Sequence, residues 1–363
     1  MMSRHRIDRR HFLALGVAGG AAALVSACAG DDARTTSGQA SSTDAGGGSG
    51  VHTIATGLYV PWGIAFLRHG TALVSQRDEA SIVAIAPDGS KRIVGDVAGV
   101  APRGEGGLQG IAMAPGDESV VFAYYTTDTD NRVATMTFDG ERLGAPRPIL
   151  TGLDAAYNHH GGALLFDRDG SLFVSVGDAA QADVAQDTAA LNGSILRIDR
   201  TGRPWPGNPF GNEIWSYGHR NVEGMAFDAA GGLWATEFGA NSTDELNLIR
   251  RGGNYGWPRF EGDSDAPDVI APEVTWTTEE ASPAGLAIVG ERAYMGALRG
   301  ERLWQIPLAR TSTGSPAARY VGEYGRIRAV AAAPDGSLWF GTSNTDGRGR
   351  ASADDDQILR ITV

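Results

Sequence analysis

Short apolar segments and polar turns follow one another along most of this chain, and one pattern recurs six times. Each copy begins with Gly or Ala, continues through an apolar quartet and a polar turn, and ends with a second apolar quartet. The first quartets of the six copies occupy residues 63–66, 110–113, 163–166, 224–227, 285–288 and 329–332. Several turns are Asp-Gly or Gly-Gly pairs, which are typical hairpin signals. The pattern therefore predicts six hairpins of short β-strands.

A third strand with alternating apolar residues follows each predicted hairpin. These third strands occupy residues 81–85, 132–136, 194–198, 245–249, 302–306 and 357–361. Repeats of roughly 40–60 residues built from short strands are typical of propeller blades. We therefore predict an all-β fold, a six-bladed β-propeller of four-stranded blades. A β-sandwich of similar length is the alternative, but the sixfold recurrence argues against it.

The last repeat ends after its third strand, at Val363, and residues 51–56 form an isolated strand pattern ahead of the first repeat. We expect this N-terminal strand to complete the last blade and close the ring, because closure leaves no open sheet edge. The propeller domain should then span residues 51–363.

The N-terminal segment has the features of an export signal. Arg9 and Arg10 precede an apolar run that is too short and too rich in Ala and Gly to span a membrane convincingly. The run ends with small residues before Cys28, the only cysteine of the chain, as in a bacterial lipobox. Residues 1–27 are predicted to be a twin-arginine lipoprotein signal, and 28–50 a lipidated cysteine with a flexible linker. The protein should then be exported and anchored by lipid to the outer face of the cytoplasmic membrane; a plain signal peptide with an incidental cysteine is the alternative.

The net charge of the chain is −12, and this includes the basic N-terminal segment. An acidic domain without a basic stripe argues against nucleic acid as a partner. No nucleic-acid partner is therefore expected.

Propeller topology also predicts where the functional residues lie. The segments that enter the innermost strands and those that leave the second strands meet on one face, around the central channel. Candidate residues in these segments are Glu105, His159, His160, Asp178, Arg220, Asn221, Gly239, Ala240, Arg299, Arg326 and Arg328. A histidine there can act as a general base near neutral pH, and an aspartate can hold its imidazole in one tautomer. Arg326 and Arg328 alternate, so both should point to one side and could grip the carboxylates of an anionic ligand.

The strongest family signal lies in residues 213–258. It combines Gly218-His219-Arg220-Asn221, a Gly, Ser, Asp and Glu segment at 239–245, and an aromatic and glycine segment at 252–258. The whole stretch closely resembles the soluble quinoprotein sugar dehydrogenases, the glucose/sorbosone and aldose dehydrogenase family that uses pyrroloquinoline quinone (PQQ).

This resemblance implies specific roles. His159 is the base and Asp178 its support, Arg220 stabilises negative charge on the quinone, and Asn221, Arg299, Arg326 and Arg328 bind the cofactor. Arg299 stands in place of a family lysine, and Ala163 in place of a family arginine. Glu105 and Trp276 are implied to contact substrate, with Glu105 standing where glucose-oxidising members have glutamine.

The resemblance also implies calcium (Ca²⁺), which prefers oxygen ligands. The carbonyls of Gly239 and Ala240 would hold the ion bound to the cofactor; the family often has proline at the second position. Glu245 and Tyr255 match a second, structural calcium site, with Tyr255 ligating through its carbonyl. A solvated carboxylate at a strand start is the alternative for Glu245.

The expected activity is the oxidation of an aldose to its lactone, with electrons passing to a separate external acceptor. Two alternatives remain: a calcium-dependent propeller hydrolase such as a lactonase, and a propeller that binds sugar without turnover. The arginines predicted at the channel favour an anionic cofactor over the hydrolase.

Overall fold

The computed structural model describes residues 50–309 and 312–363. The predicted export signal, Cys28 and nearly all of the predicted linker lie outside the described residues. Within them, the chain forms six antiparallel sheets and one short 3₁₀ helix at Ala182–Gln186. The predicted six-bladed β-propeller is confirmed.

Five of the six sheets follow one another along the chain, and the innermost strand of each comes first. The first comprises β2 (Pro61–Phe66), β3 (Ala72–Gln76), β4 (Ser81–Ile85) and β5 (Lys91–Asp96), and the second β6 (Leu108–Met113), β7 (Val120–Thr126), β8 (Asn131–Thr137) and β9 (Arg147–Leu153). The third comprises β10 (Gly161–Phe166), β11 (Leu172–Val176), β12 (Ser194–Ile198) and β13 (Ile214–Tyr217), and the fourth β14 (Val222–Phe227), β15 (Leu233–Glu237), β16 (Thr243–Ile249) and β17 (Val274–Thr277). The fifth comprises β18 (Pro283–Val289), β19 (Arg292–Ala297), β20 (Arg302–Ala309) and two short outer strands, β21 (Ser312–Thr313) and β22 (Ala317–Arg319).

The sixth blade joins the two ends of the described chain. It contains β23 (Ile327–Ala332), β24 (Leu338–Thr342), β25 (Ile358–Ile361) and, as its outermost strand, β1 (Val51–Ala55). Strand β1 pairs antiparallel with β25, with Val51 opposite Ile361. The expected ring closure by the N-terminal strand is therefore confirmed.

Backbone contacts, and not side chains, set the spacing of the innermost strands. A Cβ atom added to Gly110 would lie 2.2 Å from the Gly162 carbonyl of the next blade, and one added to Gly224 would lie 2.4 Å from the Ala284 carbonyl. Real Cβ atoms do not approach that closely, so the recurring glycine is required for adjacent blades to meet at the channel. This explains the glycine that begins most of the repeats.

Each innermost strand also carries an irregularity at the same place. The register between the first and second strands shifts in all six blades, for example between Gly161 and Leu164. In three blades a hydroxyl on the second strand fills this bulge. The Ser175 Oγ accepts from the Ala163 N–H and donates to the Val222 carbonyl of the next blade, both at 2.8 Å. The bulge therefore bonds one blade to its neighbour.

Apolar side chains fill the spaces between adjacent blades. Trp276 on β17 belongs to one of these clusters, where its ring lies 5.7 Å from that of Trp304 on β20. The channel itself encloses a cavity of about 450 Å³ lined by the innermost strands, including Trp62, Glu223 and Met225. No helix among the described residues is long and apolar enough to cross a membrane.

Candidate active site

The entering and leaving segments meet at one mouth of the channel, as propeller topology predicts. His159 precedes β10 and contacts Asp178, which follows β11. Arg220 precedes β14 and contacts Gly239, which follows β15. Arg326 precedes β23 and contacts Asp346, which follows β24. Residues far apart in sequence are thereby placed around one site.

The pairing of His159 with Asp178 defines the chemical centre of this mouth. His159 Nδ1 lies 2.7 Å from Asp178 Oδ1, and the two side chains are only 11% and 1% exposed. Asp178 Oδ1 also accepts from the Ala180 N–H, and Oδ2 accepts from Trp257 Nε1, both at 2.8 Å. A carboxylate oxygen that accepts from the ring fixes the imidazole with Nδ1 protonated. The lone pair of Nε2, which lies 3.0 Å from Asn158 Nδ2, then faces the other way and can accept a proton.

The backbone of His159 is held in an uncommon conformation. Its φ of 60° places a non-glycine residue in the left-handed region. The Glu105 carboxylate accepts from the His159 N–H at 3.1 Å, and the His159 carbonyl accepts from the Ala179 N–H at 3.2 Å. A Cβ atom at Gly177 would lie 2.0 Å from the same carbonyl, so only glycine fits there. Such strain persists only where the surroundings hold it, which is typical of a functional site.

His160, the other candidate base, is part of the core. It is 1% exposed, and its Nδ1 lies 3.0 Å from Asn131 Oδ1 and 3.2 Å from Thr126 Oγ1. Burial lowers the pKa of His160 to about 4, so its imidazole is neutral at ordinary pH.

Trp257 links the histidine–aspartate pair to Arg220. Its indole nitrogen donates to Asp178, while the Arg220 guanidinium lies 5.4 Å from the centre of its ring. Arg220 donates from Nη1 to the Gly239 carbonyl at 2.8 Å. Its Nε is buried and has no acceptor among the described residues. A buried guanidinium N–H without a partner is costly and marks a place for an acceptor from a ligand.

The two alternating arginines do point to one side, and two carboxylates accompany them. Arg326 donates from Nε and Nη2 to Asp346 Oδ2 at 3.0 and 2.9 Å, and Arg328 Nη2 lies 3.9 Å from the same oxygen. Arg328 also forms a close ion pair with Glu223. Burial raises the pKa of the Glu223 carboxyl, although the neighbouring Arg328 opposes this effect.

The segment expected to bind calcium wraps around the carboxylate of Glu261. Glu261 Oε1 accepts from the N–H groups of Ala240, Asn241, Ser242 and Thr243, at 2.8, 2.8, 2.8 and 3.0 Å. Because the N–H and C=O groups of a trans peptide point in opposite directions, the carbonyls of Gly239 and Ala240 face away from Glu261. The Gly239 carbonyl already accepts from the Arg220 cation. Two outward carbonyls, one of them bound to a cation, fit the oxygen chemistry of a calcium ion.

The second predicted calcium site is a buried acidic cluster. Glu245 and Tyr255 line a small void of about 10 Å³ together with Glu237 and Glu261. Burial, reinforced by the charge of Glu237, raises the pKa of Glu245 to about 8. Its carboxylate accepts from Asn247 Nδ2 at 2.9 Å and from the Gly262 N–H at 2.7 Å. Among the described residues there is no group of three or more His, Cys, Asp or Glu side chains arranged to hold a metal, so an ion here would depend on backbone carbonyls as well.

Three predicted site residues have surroundings that the sequence did not indicate. Asn221 is buried and accepts from the Gly161 N–H at 2.8 Å, which ties the third blade to the fourth. Arg299 is exposed and pairs with Glu279 at 2.8 Å. Trp276 lies in the apolar cluster between blades, so the structure does not bring it to the His159 centre.

Sequence reasoning missed four contributors to the site. They are Glu223, Asp346, Trp257 and Glu261. Glu223 could have been found, because it is a charged residue within an otherwise apolar innermost strand. Asp346 and Glu261 lie in loops, where nothing in the local pattern distinguishes them. Trp257 lies in the aromatic and glycine segment at 252–258, but the sequence indicated no role for it.

The fold and the site together define a six-bladed propeller that carries a histidine–aspartate pair and a set of buried guanidinium groups at one mouth of its channel. The chain belongs to the glucose/sorbosone dehydrogenase family, whose sequence model matches residues 58–359.

Known proteins extend this similarity over most of the chain. The structure of the PQQ-bound aldose sugar dehydrogenase from Streptomyces coelicolor is 46% identical, with a TM-score of 0.84, and the match covers 86% of this chain and 97% of that one. Aldose sugar dehydrogenase YliI of Escherichia coli is 28% identical over 79% of this chain and 88% of its own length. An uncharacterised protein of Synechocystis is 32% identical over 80% of this chain and 83% of its own.

Proposed function

We propose that this protein oxidises the anomeric hydroxyl of an aldose to the lactone, using PQQ and calcium. The observation that carries the proposal is the joint placement of His159, Asp178 and the unsatisfied Arg220 at one mouth. The protein from Streptomyces coelicolor that is 46% identical to this chain contains bound PQQ and is named an aldose sugar dehydrogenase. When bound, the quinone with its calcium ion would supply the acceptor for the hydride that leaves the sugar carbon.

His159 supplies the base for this reaction. Its Nε2 takes the hydroxyl proton as the carbon–oxygen double bond forms, and the substrate hydroxyl takes the place that Asn158 Nδ2 now has beside it. Asp178 stabilises the imidazolium that results, because the pair is withdrawn from solvent. Trp257 holds the other carboxylate oxygen and keeps Asp178 from rotating.

Arginines provide the binding site for the anionic cofactor. Arg220 offers its unpartnered Nε, and Arg326 and Arg328 present guanidinium groups oriented by Asp346 and Glu223. Guanidinium groups suit carboxylates because they bind them bidentately. Calcium would be held by the carbonyls of Gly239 and Ala240, and a structural ion by Glu245 with the Tyr255 carbonyl.

A calcium-dependent lactonase would require a ring of acidic and amide side chains around a channel metal. The described part of the chain offers arginines at this mouth and no group of three or more His, Cys, Asp or Glu side chains arranged to hold a metal. A ligand-binding propeller without turnover has no need of a shielded base held by a carboxylate. The dehydrogenase therefore explains more of the site.

Reconstitution tests the proposal directly. The purified apoprotein is titrated with PQQ with and without calcium, and each sample is assayed for dye reduction with a panel of aldoses. We expect binding that requires calcium, loss of activity on chelation, and recovery when both are restored. Binding without dye reduction by any aldose would leave the sugar-binding propeller as the better account, and no binding at all would remove the quinone from the proposal.

We further propose that the protein acts outside the cytoplasm, held at the outer face of the membrane by lipid on Cys28, and passes electrons to a separate acceptor. The basis is the sequence of the N-terminal segment alone. Cys28→Ser should move the protein from the membrane fraction to the soluble fraction outside the cytoplasm. Replacing Arg9 and Arg10 together should instead stop export, and a Cys28→Ser variant that stays in the membrane would contradict the lipid anchor.

A further inference from the structure

We propose that Tyr157 and Arg348, on either side of Glu105, form an outer sugar subsite that receives the second unit of a reducing disaccharide. The subsite adjoins the reaction centre, and the inference rests on the proposed aldose oxidation. Neither Tyr157 nor Arg348 belongs to the groups described above as the base, the cofactor-binding arginines or the calcium ligands.

Tyr157 is an aromatic side chain displayed beside the reaction centre. It is 71% exposed, although it lies only two residues before His159. Its carbonyl accepts from the Glu105 N–H at 2.9 Å. At Gly104, whose φ is 59°, an added Cβ would lie 2.0 Å from the Tyr157 carbonyl oxygen and 2.9 Å from its Cγ. Because Gly104 has no side chain, the first atoms of the Tyr157 side chain can pack against this turn, and most of the ring remains in solvent.

Arg348 reaches Glu105 from the sixth blade. Its Nη1 donates to Glu105 Oε1 at 2.8 Å, and its side chain is 53% exposed. Asp346 Oδ1 accepts from the Arg348 N–H at 2.9 Å, while Asp346 Oδ2 holds Arg326. The backbone of Arg348 is thus held by the same aspartate that orients the buried arginines, whereas its guanidinium is in contact with solvent.

Glu105 joins the two residues to the catalytic base. One of its oxygens accepts from Arg348 and the other from the His159 N–H, and its own N–H donates to Tyr157. These contacts lower the pKa of the Glu105 carboxyl against the opposing effect of burial, so it is ionised at neutral pH. The result is a carboxylate that is bonded to an exposed guanidinium and whose backbone is bonded to the residue that carries an exposed aromatic ring.

This combination suits a pyranose ring. The apolar face of a sugar packs on an aromatic ring, and its hydroxyls bond to planar charged groups. The His159 imidazole bonds to Asp178, whereas its backbone N–H bonds to Glu105. The contacts that hold the imidazole for reaction do not involve the Tyr157 ring, which is thus available to the next unit of the same sugar chain.

The test compares glucose with maltose as substrates of the reconstituted enzyme. Tyr157→Ala should lower kcat/KM for maltose by about threefold to tenfold, the factor expected for one aromatic contact, and leave that for glucose unchanged. Tyr157→Phe should restore the value, because the ring face is retained. Arg348→Gln should also lower the value for maltose more than that for glucose. Tyr59→Ala is the matched control, since Tyr59 is 54% exposed but lies beside Gln76 and Ile93 on the first blade.

Binding of methyl maltoside, which has no free anomeric hydroxyl, gives a readout independent of turnover. Calorimetry should show weaker binding of this glycoside to Tyr157→Ala than to the parent protein, with methyl glucoside unaffected. Equal losses for both sugars, or for neither, would overturn the outer subsite while leaving aldose oxidation intact. If the parent enzyme oxidises no aldose, the proposed function fails and the calorimetric comparison alone decides the subsite.

Discussion

Replacing Asp178 with asparagine tests the central contact of the site with the least change in shape. The carboxylate accepts three hydrogen bonds, from His159 Nδ1, the Ala180 N–H and Trp257 Nε1. Asparagine has only one acceptor oxygen, so its amide nitrogen must face one of these donors. If the oxygen stays toward His159, the mismatch falls on Trp257, and the negative charge beside the imidazolium is lost in either orientation.

The expected loss follows from the burial of the pair. With side chains 11% and 1% exposed, His159 and Asp178 form a charge-assisted hydrogen bond that solvent screens little. Such bonds contribute about 1.5–3 kcal/mol. If this stabilisation is present mainly in the transition state, kcat falls by about one to two orders of magnitude. KM should change little, because Asp178 acts through the imidazole.

The assay is steady-state dye reduction by the reconstituted enzyme, with cofactor binding measured separately. Trp257→Phe alone retains the carboxylate and removes the donor, and the double variant Asp178→Asn with Trp257→Phe relieves the donor mismatch. The double variant should remain as slow as Asp178→Asn. A kcat within twofold of the parent for Asp178→Asn, or full recovery in the double variant, would show that the charge of Asp178 does not support the base. Loss of cofactor binding would show instead that Asp178 is needed to retain the cofactor.

Three further perturbations address neighbouring residues. His159→Ala should abolish dye reduction while PQQ still binds, because the base acts on substrate, and His160→Ala should be milder. Loss of dye reduction in a His160→Ala protein of unchanged stability, with activity retained in His159→Ala, would exchange the two roles. Burial lowers the pKa of His160 from 6.5 to about 4, so the neutral imidazole stabilises the fold fully above pH 6.5. This contribution, on the order of 3 kcal/mol, is lost as the pH falls through 4. Unfolding curves of His160→Gln measured over this range should lack that part of the pH dependence. Arg328→Met should destabilise the protein by about 3–5 kcal/mol, because Glu223 is left buried without its partner. Adding Glu223→Gln should recover the stability, measured by denaturation, but not the quinone affinity, measured by titration. Recovery of both would exclude Arg328 as a cofactor ligand.

The fold was predictable from the sequence because of its repeat. Six copies of one pattern predict six blades, and an unpaired strand at 51–56 predicts the closing contact with β25. The same logic places His159, Asp178 and Arg220 at one mouth, because propeller connections bring these segments together. The bulges were not predictable, since nothing in the local pattern encodes the contacts between blades that accompany them, such as that of the Ser175 hydroxyl with the Val222 carbonyl.

The partners of the site residues were harder to infer than the residues themselves. The pairing of Arg328 with Glu223 joins residues 105 positions apart, and that of Arg348 with Glu105 joins residues 243 positions apart. No local pattern encodes such contacts. Trp276 lies in the apolar cluster between blades, where its large surface is buried, and no local pattern indicates which neighbouring side chains it packs against.

Ring closure by β1 also imposes an order on folding. Strand β1 is made early, but its pairing partner β25 lies at residues 358–361, near the opposite end of the described chain. During synthesis the first five blades can assemble from local hairpins, whereas β1 must wait as an unpaired edge until almost all of the chain is available. Completion of the sixth blade is therefore the last step at which a nascent chain can become a closed ring, and a truncation that removes only β25 should leave a protein prone to pairing with a second copy of itself.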